Sequence, residues 1–189
     1  MNNISLAANG YYDEFFTMDF LTASAEMSKR QLRKKCSEFG IELEHNESGD
    51  EGLPYYDVLS LFAALSLETK TKKERREYDD ESWLVDVEMA ADILQVSKRR
   101  IRKMIRDEIL STVKVRGEYF ISCYSLEAIG RVITLDELVD CTKLDKATVK
   151  KKCSKYGFKL IRNKAGEEGL FECDAGDLMD CLYDEYTTI

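Results

Sequence analysis

The chain has 189 residues, 44% of them hydrophobic and 34% charged, with a formal net charge of −8 at pH 7. That is enough apolar material for real cores, but no apolar run approaches the roughly 20 residues that cross a bilayer, since the longest, Leu59 to Leu67, is broken by Ser60 and Ser66. The acid excess counts against a uniformly basic nucleic-acid footprint, and the opening MNNISLAANGYY lacks the basic region and apolar stretch of a secretory signal.

The chain repeats itself. Shifting it by 117 residues aligns 17–65 with 134–182 without a gap and gives eighteen identities in forty-nine positions. They include Lys29/Lys146, Lys34/Lys151, Cys36/Cys153, Gly40/Gly157, Glu51/Glu168, Gly52/Gly169 and Asp57/Asp174. Such a match reads as a duplication. Residues 83–133 follow the same plan with less identity: Ser97 falls where Ser28 and Asp145 fall, and Ile101 where Leu32 and Val149 fall. The expected organisation is an N-terminal tail (1–15), a first unit (16–66), a charged linker (67–82), a second unit (83–133) and a third unit (134–189). With no linker between them, units two and three are expected to form one rigid body.

In the first unit, Ser28-Lys-Arg-Gln31 has the capping-box spacing that opens a helix, and Gly40 sits where that basic helix should end. Asn46-Glu-Ser-Gly49 then turns a hairpin, and Asp57 is placed to cap a closing helix anchored by Phe62 and Leu65. The linker SLETKTKKERREYDDES has no hydrophobic periodicity. Its Lys70, Lys72, Lys73, Arg75 and Arg76 read equally as a solubilising stretch or as a second-line DNA contact.

The second unit is the clearest. Trp83 precedes Asp86, an N-cap for a helix whose Val87, Ala90, Ala91 and Leu94 share one face. Trp83 is expected to pack on that helix as a hydrophobic staple. After a short turn, Ser97 caps SKRRIRKMIRDE, with Ile101, Met104 and Ile105 on one stripe and the cations largely opposite. Two β-prone runs, Thr112 to Val115 and Glu118 to Ile121, flank a tight turn at Arg116-Gly117. Of Tyr119 and Phe120, one should face the core. A third helix is expected from Ser125. The third unit repeats the plan, with a capping box at Thr134-Leu-Asp-Glu137, a helix ending at Gly157 and a turn at Asn163-Lys-Ala-Gly166. Its closing helix is expected to be capped by Asp174, anchored by Met179 and Leu182, and packed on its own unit in preference to pairing with another subunit. The fold class is therefore mainly α with small β-hairpins, an α+β chain.

Three segments of the second unit carry a family resemblance: Asp86-Val-Glu-Met-Ala-Ala-Asp-Ile-Leu, Ser97-Lys-Arg-Arg-Ile-Arg-Lys-Met-Ile-Arg-Asp and Val113-Lys-Val-Arg-Gly-Glu-Tyr-Phe-Ile. Together they resemble the winged helix-turn-helix of the excisionase and MerR-type DNA-binding superfamily. The likeness spans about 50 residues directly and reaches the other two units through the internal repeat, making three tandem copies. Where the family often carries glycine in the tight turn, this chain has Glu26, Gln95 and Lys143. No long dimerisation helix is visible, so inducer sensing of the MerR kind is not implied.

The resemblance implies that the second helix enters the major groove and that the hairpin wing reaches toward the minor groove or backbone. Carried over by position, Lys98, Arg99, Arg102, Lys103 and Arg106 face DNA, with Arg116 at the wing tip. Ser97 offers the helix N-terminal N–H groups to phosphate. The matching residues are Lys29, Arg30, Arg33 and Lys34 in the first unit and Lys146, Lys150 and Lys151 in the third. An arginine fork suits guanine or phosphate in two-point contact.

Block sums explain how an acidic chain fits that picture. Residues 28–40 total +4, 97–107 total +5 and 143–164 total +8, so all three second helices are basic. A single lysine-rich face is ordinarily just solvated; three at the same element of three repeats point to nucleic acid.

The expected function is sequence-specific binding of double-stranded DNA, as a transcription regulator or an excisionase-like architectural factor of a phage or mobile element. If all three units engage one duplex, the footprint spans about 25–30 bp. The chain is expected to be cytoplasmic (nucleoid-associated when on DNA), monomeric or homodimeric, and free of membrane partners and cofactors. The alternative is a winged-helix protein-interaction scaffold or inhibitor whose acidic surface partly mimics DNA, suggested by the acid beside the turns of IELEHNESGDEGLPYY and FKLIRNKAGEEGLFE. An enzyme is the weakest class, because no nucleotide loop or nucleophile–base pair is legible. The six cysteines form no CxxC pair and the single histidine, His45, lies in a polar hairpin, so free thiols are expected and no metal site is.

Overall fold

In a computed structural model, residues 14–71, 74 and 83–187 are described. The chain runs through β1 (Phe15–Thr17), α1 (Met18–Ala25), α2 (Lys29–Phe39), β2 (Glu44–His45), β3 (Glu51–Pro54) and α3 (Tyr55–Thr69). It continues with β4 (Leu84–Asp86), α4 (Val87–Ile93), α5 (Lys98–Arg106), β5 (Thr112–Val115), β6 (Glu118–Ser122) and α6 (Cys123–Ile129). The last set is β7 (Val132–Thr134), α7 (Leu135–Thr142), α8 (Lys146–Tyr156), β8 (Ile161–Arg162), β9 (Glu168–Phe171) and α9 (Glu172–Thr187). The order β-α-α-β-β-α thus occurs three times, giving a mixed helix-and-sheet fold in the expected α+β class. In each copy the last strand is central, with orders β1-β3-β2, β4-β6-β5 and β7-β9-β8. No helix among the described residues is long and apolar enough to cross a membrane. The expected N-terminal tail (1–15) and the linker cations Lys72, Lys73, Arg75 and Arg76 fall mostly or wholly outside the described residues.

Local chemistry accounts for the helix ends. Ser28 and Thr134 form full capping boxes with Gln31 and Glu137. Asp86 accepts hydrogen bonds from the Glu88 and Met89 amides, Ser97 from Arg100, and Asp145 from Ala147 and Thr148. These side chains satisfy backbone donors that a helix start leaves unpaired. Gly40 and Gly157 close α2 and α8 in the left-handed conformation that glycine adopts without a Cβ clash.

Two expectations need correction. The closing helices begin two residues before their predicted caps, at Tyr55, Cys123 and Glu172 rather than Asp57, Ser125 and Asp174. Strand and helix follow each other without a loop, so the carboxylates of Asp57 and Asp174 lie in the first turn instead. Trp83 also stacks on Tyr56 of α3, with ring centroids 6.3 Å apart and planes at 13°, a partner the sequence did not indicate. In addition, Met179 is exposed, and Leu178 with Ala175 takes its place beside the expected anchor Leu182. In α3 the fully buried residues are likewise Leu61 and Ala64, with Phe62 and Leu65 packed at the margin.

Contacts divide the chain into two compact units, and the division runs through the second copy (83–133). The first unit comprises the described residues up to Leu84 with Thr112–Ser122, and the second Val85–Ser111 with the described residues from Cys123 onward. In the first unit, β5 packs on α2 and α3, so Val113, Val115 and Phe120 share a core with Leu32, Cys36, Phe39 and Leu61. Phe120 is thus the inward residue of its pair and Tyr119 the outward one. In the second unit, Leu135, Leu138, Val149, Cys153, Leu170, Leu178 and Leu182 form a core among α7, α8, β9 and α9.

Gly52 and Gly169 occupy the same place in β3 and β9, opposite Thr17 and Thr134. A Cβ at either would collide with a backbone carbonyl oxygen, that of Phe16 or of Ile133. Gly169→Ala is therefore expected to destabilise the chain by about 1–3 kcal/mol in thermal or urea melts, as overpacking does. Gly176→Ala, in helix α9 with open space around it, is expected to stabilise it by roughly 0.5–1 kcal/mol.

Candidate nucleic-acid interface

The three second helices are set by their buried stripes. Leu32, Cys36 and Phe39 of α2, Ile101 and Met104 of α5, and Val149 and Cys153 of α8 are buried. At 3.6 residues per turn this rotates the remaining positions outward. Lys29, Arg30, Arg33 and Lys34, then Lys98, Arg99, Arg102, Lys103 and Arg106, then Lys146, Lys150 and Lys151 are all exposed.

Exposure alone does not make these cations available, because the copies differ in how they are paired. The first residue of each helix meets an acid in the first turn of the preceding helix. Lys29–Asp19, Lys98–Glu88 and Lys146–Asp136 each close to 2.6 Å. In the outer copies a second cation is also taken. The Arg33 fork donates to both oxygens of Glu51 at 2.5–3.2 Å, and Lys150 donates to Glu168 at 2.5 Å. These hydrogen bonds hold the Glu51 and Glu168 carboxyls below the ordinary carboxylate range. Farther along, Lys35 pairs with Glu68 of α3, and Lys152 and Lys155 with Glu185 of α9. Lys34 reaches Glu38 at 3.4 Å.

Helix α5 is different. Lys103 pairs with Asp107 at 2.7 Å, but Arg99, Arg102 and Arg106 make no ion pair among the described residues. Spaced three and four apart, they lie along one face. Arg30 and Lys151 are the outer-copy site residues in the same unpaired condition. Ser97 is exposed and its hydroxyl accepts the Arg100 amide at 3.3 Å. Arg100, not among the expected site residues, is half-buried, and its Nε has no hydrogen-bond partner among the described residues.

The hairpin tips also divide. Arg116 and Gly117 both have positive φ, 50° and 84°, as a two-residue hairpin turn requires. Arg116 is exposed at that tip, and Lys114 lies 5.7 Å from the ring centre of Tyr119, its cross-strand partner. In the outer copies Asn46 and Asn163 instead close longer turns by accepting the Asp50 and Glu167 amides. The third copy's tip is docked within its own unit: the Lys164 amide donates to the Gln95 carbonyl at 2.8 Å, and its ammonium pairs with Asp92. The tight turns between first and second helices place Glu26, Gln95 and Lys143 at φ 53°, 55° and 59°. That is the left-handed region that glycine would occupy without strain.

The acids that determine this picture, Asp19, Glu51, Glu88, Asp136 and Glu168, were not among the expected site residues. A signal for four of them was present, since Asp19/Asp136 and Glu51/Glu168 are identical pairs across the 117-residue shift. All six cysteines are free thiols, and burial pushes Cys36 up to about 11. Among the described residues no group of histidine, cysteine or carboxylate side chains is arranged to hold a metal. No protein-family model, curated protein or solved structure matches the chain.

The third copy carries a testable electrostatic feature. Arg131 donates to Glu137 at 2.8 Å while Glu137 also closes the capping box with Thr134, and the carboxyl is held down to about 2. A depressed pKa contributes stability above the unfolded-state value and loses it as pH falls toward the folded one. Glu137→Gln is expected to cost about 0.5–1 kcal/mol at pH 7, solvent screening included. In paired melts that difference should shrink as pH falls from about 5 toward 2, and vanish only below that, once the folded carboxyl is protonated as well.

Proposed function

We propose that this chain is a sequence-specific double-stranded DNA-binding protein built from three tandem winged helix-turn-helix units, in which α5 is the reading helix. The carrying observation is the exposed Arg99, Arg102 and Arg106 stripe on α5, held outward by buried Ile101 and Met104 and unpaired among the described residues. An arginine fork can take guanine O6 and N7 or a phosphate, and three on one face fit a helix laid in the major groove. Arg116 is the wing residue in this reading. The repeated β-α-α-β-β-α order, the caps at Ser28, Ser97 and Asp145, and the left-handed turn residues support the winged-helix assignment. The role follows as a transcription regulator or an excisionase-like architectural factor, with no catalytic chemistry.

A second reading has its own support in the outer copies. Their second-helix cations are largely paired with acids, and the first copy's hairpin exposes Glu42, Glu44, Glu47 and Asp50. Such a surface suits a basic protein partner, which makes the outer copies interaction modules.

Selection from a random duplex pool, followed by binding across a salt series, tests the main reading. The expected outcome is an enriched motif and a steep fall in affinity with salt. Arg99→Ala, Arg102→Ala and Arg106→Ala together should reduce the salt slope by about 0.9 for each phosphate no longer neutralised. A side chain that reads a base should instead cost about 1–3 kcal/mol and relax one position of the motif. No enrichment from the pool at low salt, with the fold intact, would reject DNA binding.

A further inference from the structure

The outer copies pair the same two positions in the same way. Glu51 and Glu168 each open the central strand of a hairpin sheet, in register with His45 and Arg162. Backbone pairing therefore fixes where each carboxylate stands. Arg33 and Lys150, one turn into the exposed face of α2 and α8, put their cationic nitrogens 2.5 Å from those carboxylates. The side chain at this helix position changes from arginine to lysine between the copies, while the acid stays glutamate. In the Arg33 pair the guanidinium uses Nε and Nη2 together, the same two-point geometry that an arginine offers a phosphate. Glu168 also has Arg162 within 3.5 Å. The counterpart on α5 is Arg102, exposed and without an ion pair among the described residues.

We propose that Glu51 and Glu168 are specificity-determining carboxylates that take the place of DNA phosphate on the outer copies, holding Arg33 and Lys150 so that α2 and α8 do not engage duplex DNA while α5 does. This rests on the DNA-binding reading and deepens it. The carboxylates subtract the outer helices from the electrostatic footprint without removing their positive charge from the sequence. A chain of three basic helices then reads DNA with one. Both cations are exposed and both carboxylates only half-buried, so removing the pairs is expected to leave the fold nearly untouched.

The test is binding of the full chain to duplex DNA by fluorescence anisotropy at low and at near-physiological salt, with thermal melts confirming each fold. Glu51→Gln with Glu168→Gln should bind about ten-fold more tightly at low salt, with a salt slope steeper by about 1.8 for two newly freed cations. Glu42→Gln with Glu47→Gln makes the same change in net charge at exposed positions with no ion pair among the described residues, and should not steepen the slope comparably. Adding Arg33→Ala and Lys150→Ala should cancel the gain in the Glu51→Gln, Glu168→Gln background yet leave the parent chain within about two-fold, the non-additivity that marks a coupled pair. The proposal is overturned if the Glu51/Glu168 variant matches the Glu42/Glu47 control, or if Arg33→Ala with Lys150→Ala weakens the parent chain substantially. A parent chain that binds no duplex removes the DNA reading on its own. In that case duplex binding acquired by Glu51→Gln with Glu168→Gln still supports the masking role, and its absence overturns that role too.

Discussion

Each copy of the repeated pattern turns on one aliphatic side chain four residues past the cap of its second helix: Leu32, Ile101 or Val149, each exposed by 1% or less. Burying that residue, with the next apolar position a turn on, fixes the rotation of the helix about its own axis. Once rotation is fixed, every cation on the helix has a defined direction. The first helix is held by an equally buried partner, Leu21, Ala90 or Leu138. Surface charge in this protein is thus a consequence of core packing, because a side chain on the far side of a buried stripe has nowhere to point but outward.

With direction set, the copies diverge through what stands opposite each cation. A strand that begins with glutamate at the right height turns Arg33 or Lys150 inward onto the hairpin. A closing helix that ends in glutamate does the same for Lys35 and Lys152. In the middle copy the position matching Lys35 is Met104, which is buried. Apolar burial there replaces an ion pair, and Arg99, Arg102 and Arg106 stay exposed with no ion pair among the described residues. Exposed ion pairs add little stability, so their consequence lies in which charges a partner meets.

Much of the fold was legible along the chain because its determinants are local. Caps at Ser28, Asp86, Ser97 and Thr134, the glycines that end α2 and α8, and the Arg116-Gly117 turn are each decided by a few adjacent residues and their hydrogen bonds. The 117-residue repeat carried the element order from one copy to another. The misplacements have the same origin. Asp57 and Asp174 look like caps, but α3 and α9 start two residues earlier, so both carboxylates fall inside the first turn. Met179 sits one residue from the buried face, since a helix stripe alone does not say which of two neighbours is inward.

The sequence by itself determined three helix-rich copies, their basic second helices and their short hairpins, because periodicity, capping and turn chemistry act over one or two turns of chain. Only the tertiary structure decided which of those cations are spoken for. Arg33 meets an acid 18 residues away, Lys35 one 33 residues away and Lys164 one 72 residues away. Those meetings depend on strand register and helix rotation, which are properties of the packed core rather than of any segment. The same packing placed Trp83 on Tyr56 and the β5–β6 hairpin on α2 and α3. The net charge of −8 is therefore not a description of the surface: its physical meaning is set by which charges the fold brings within hydrogen-bond reach of one another.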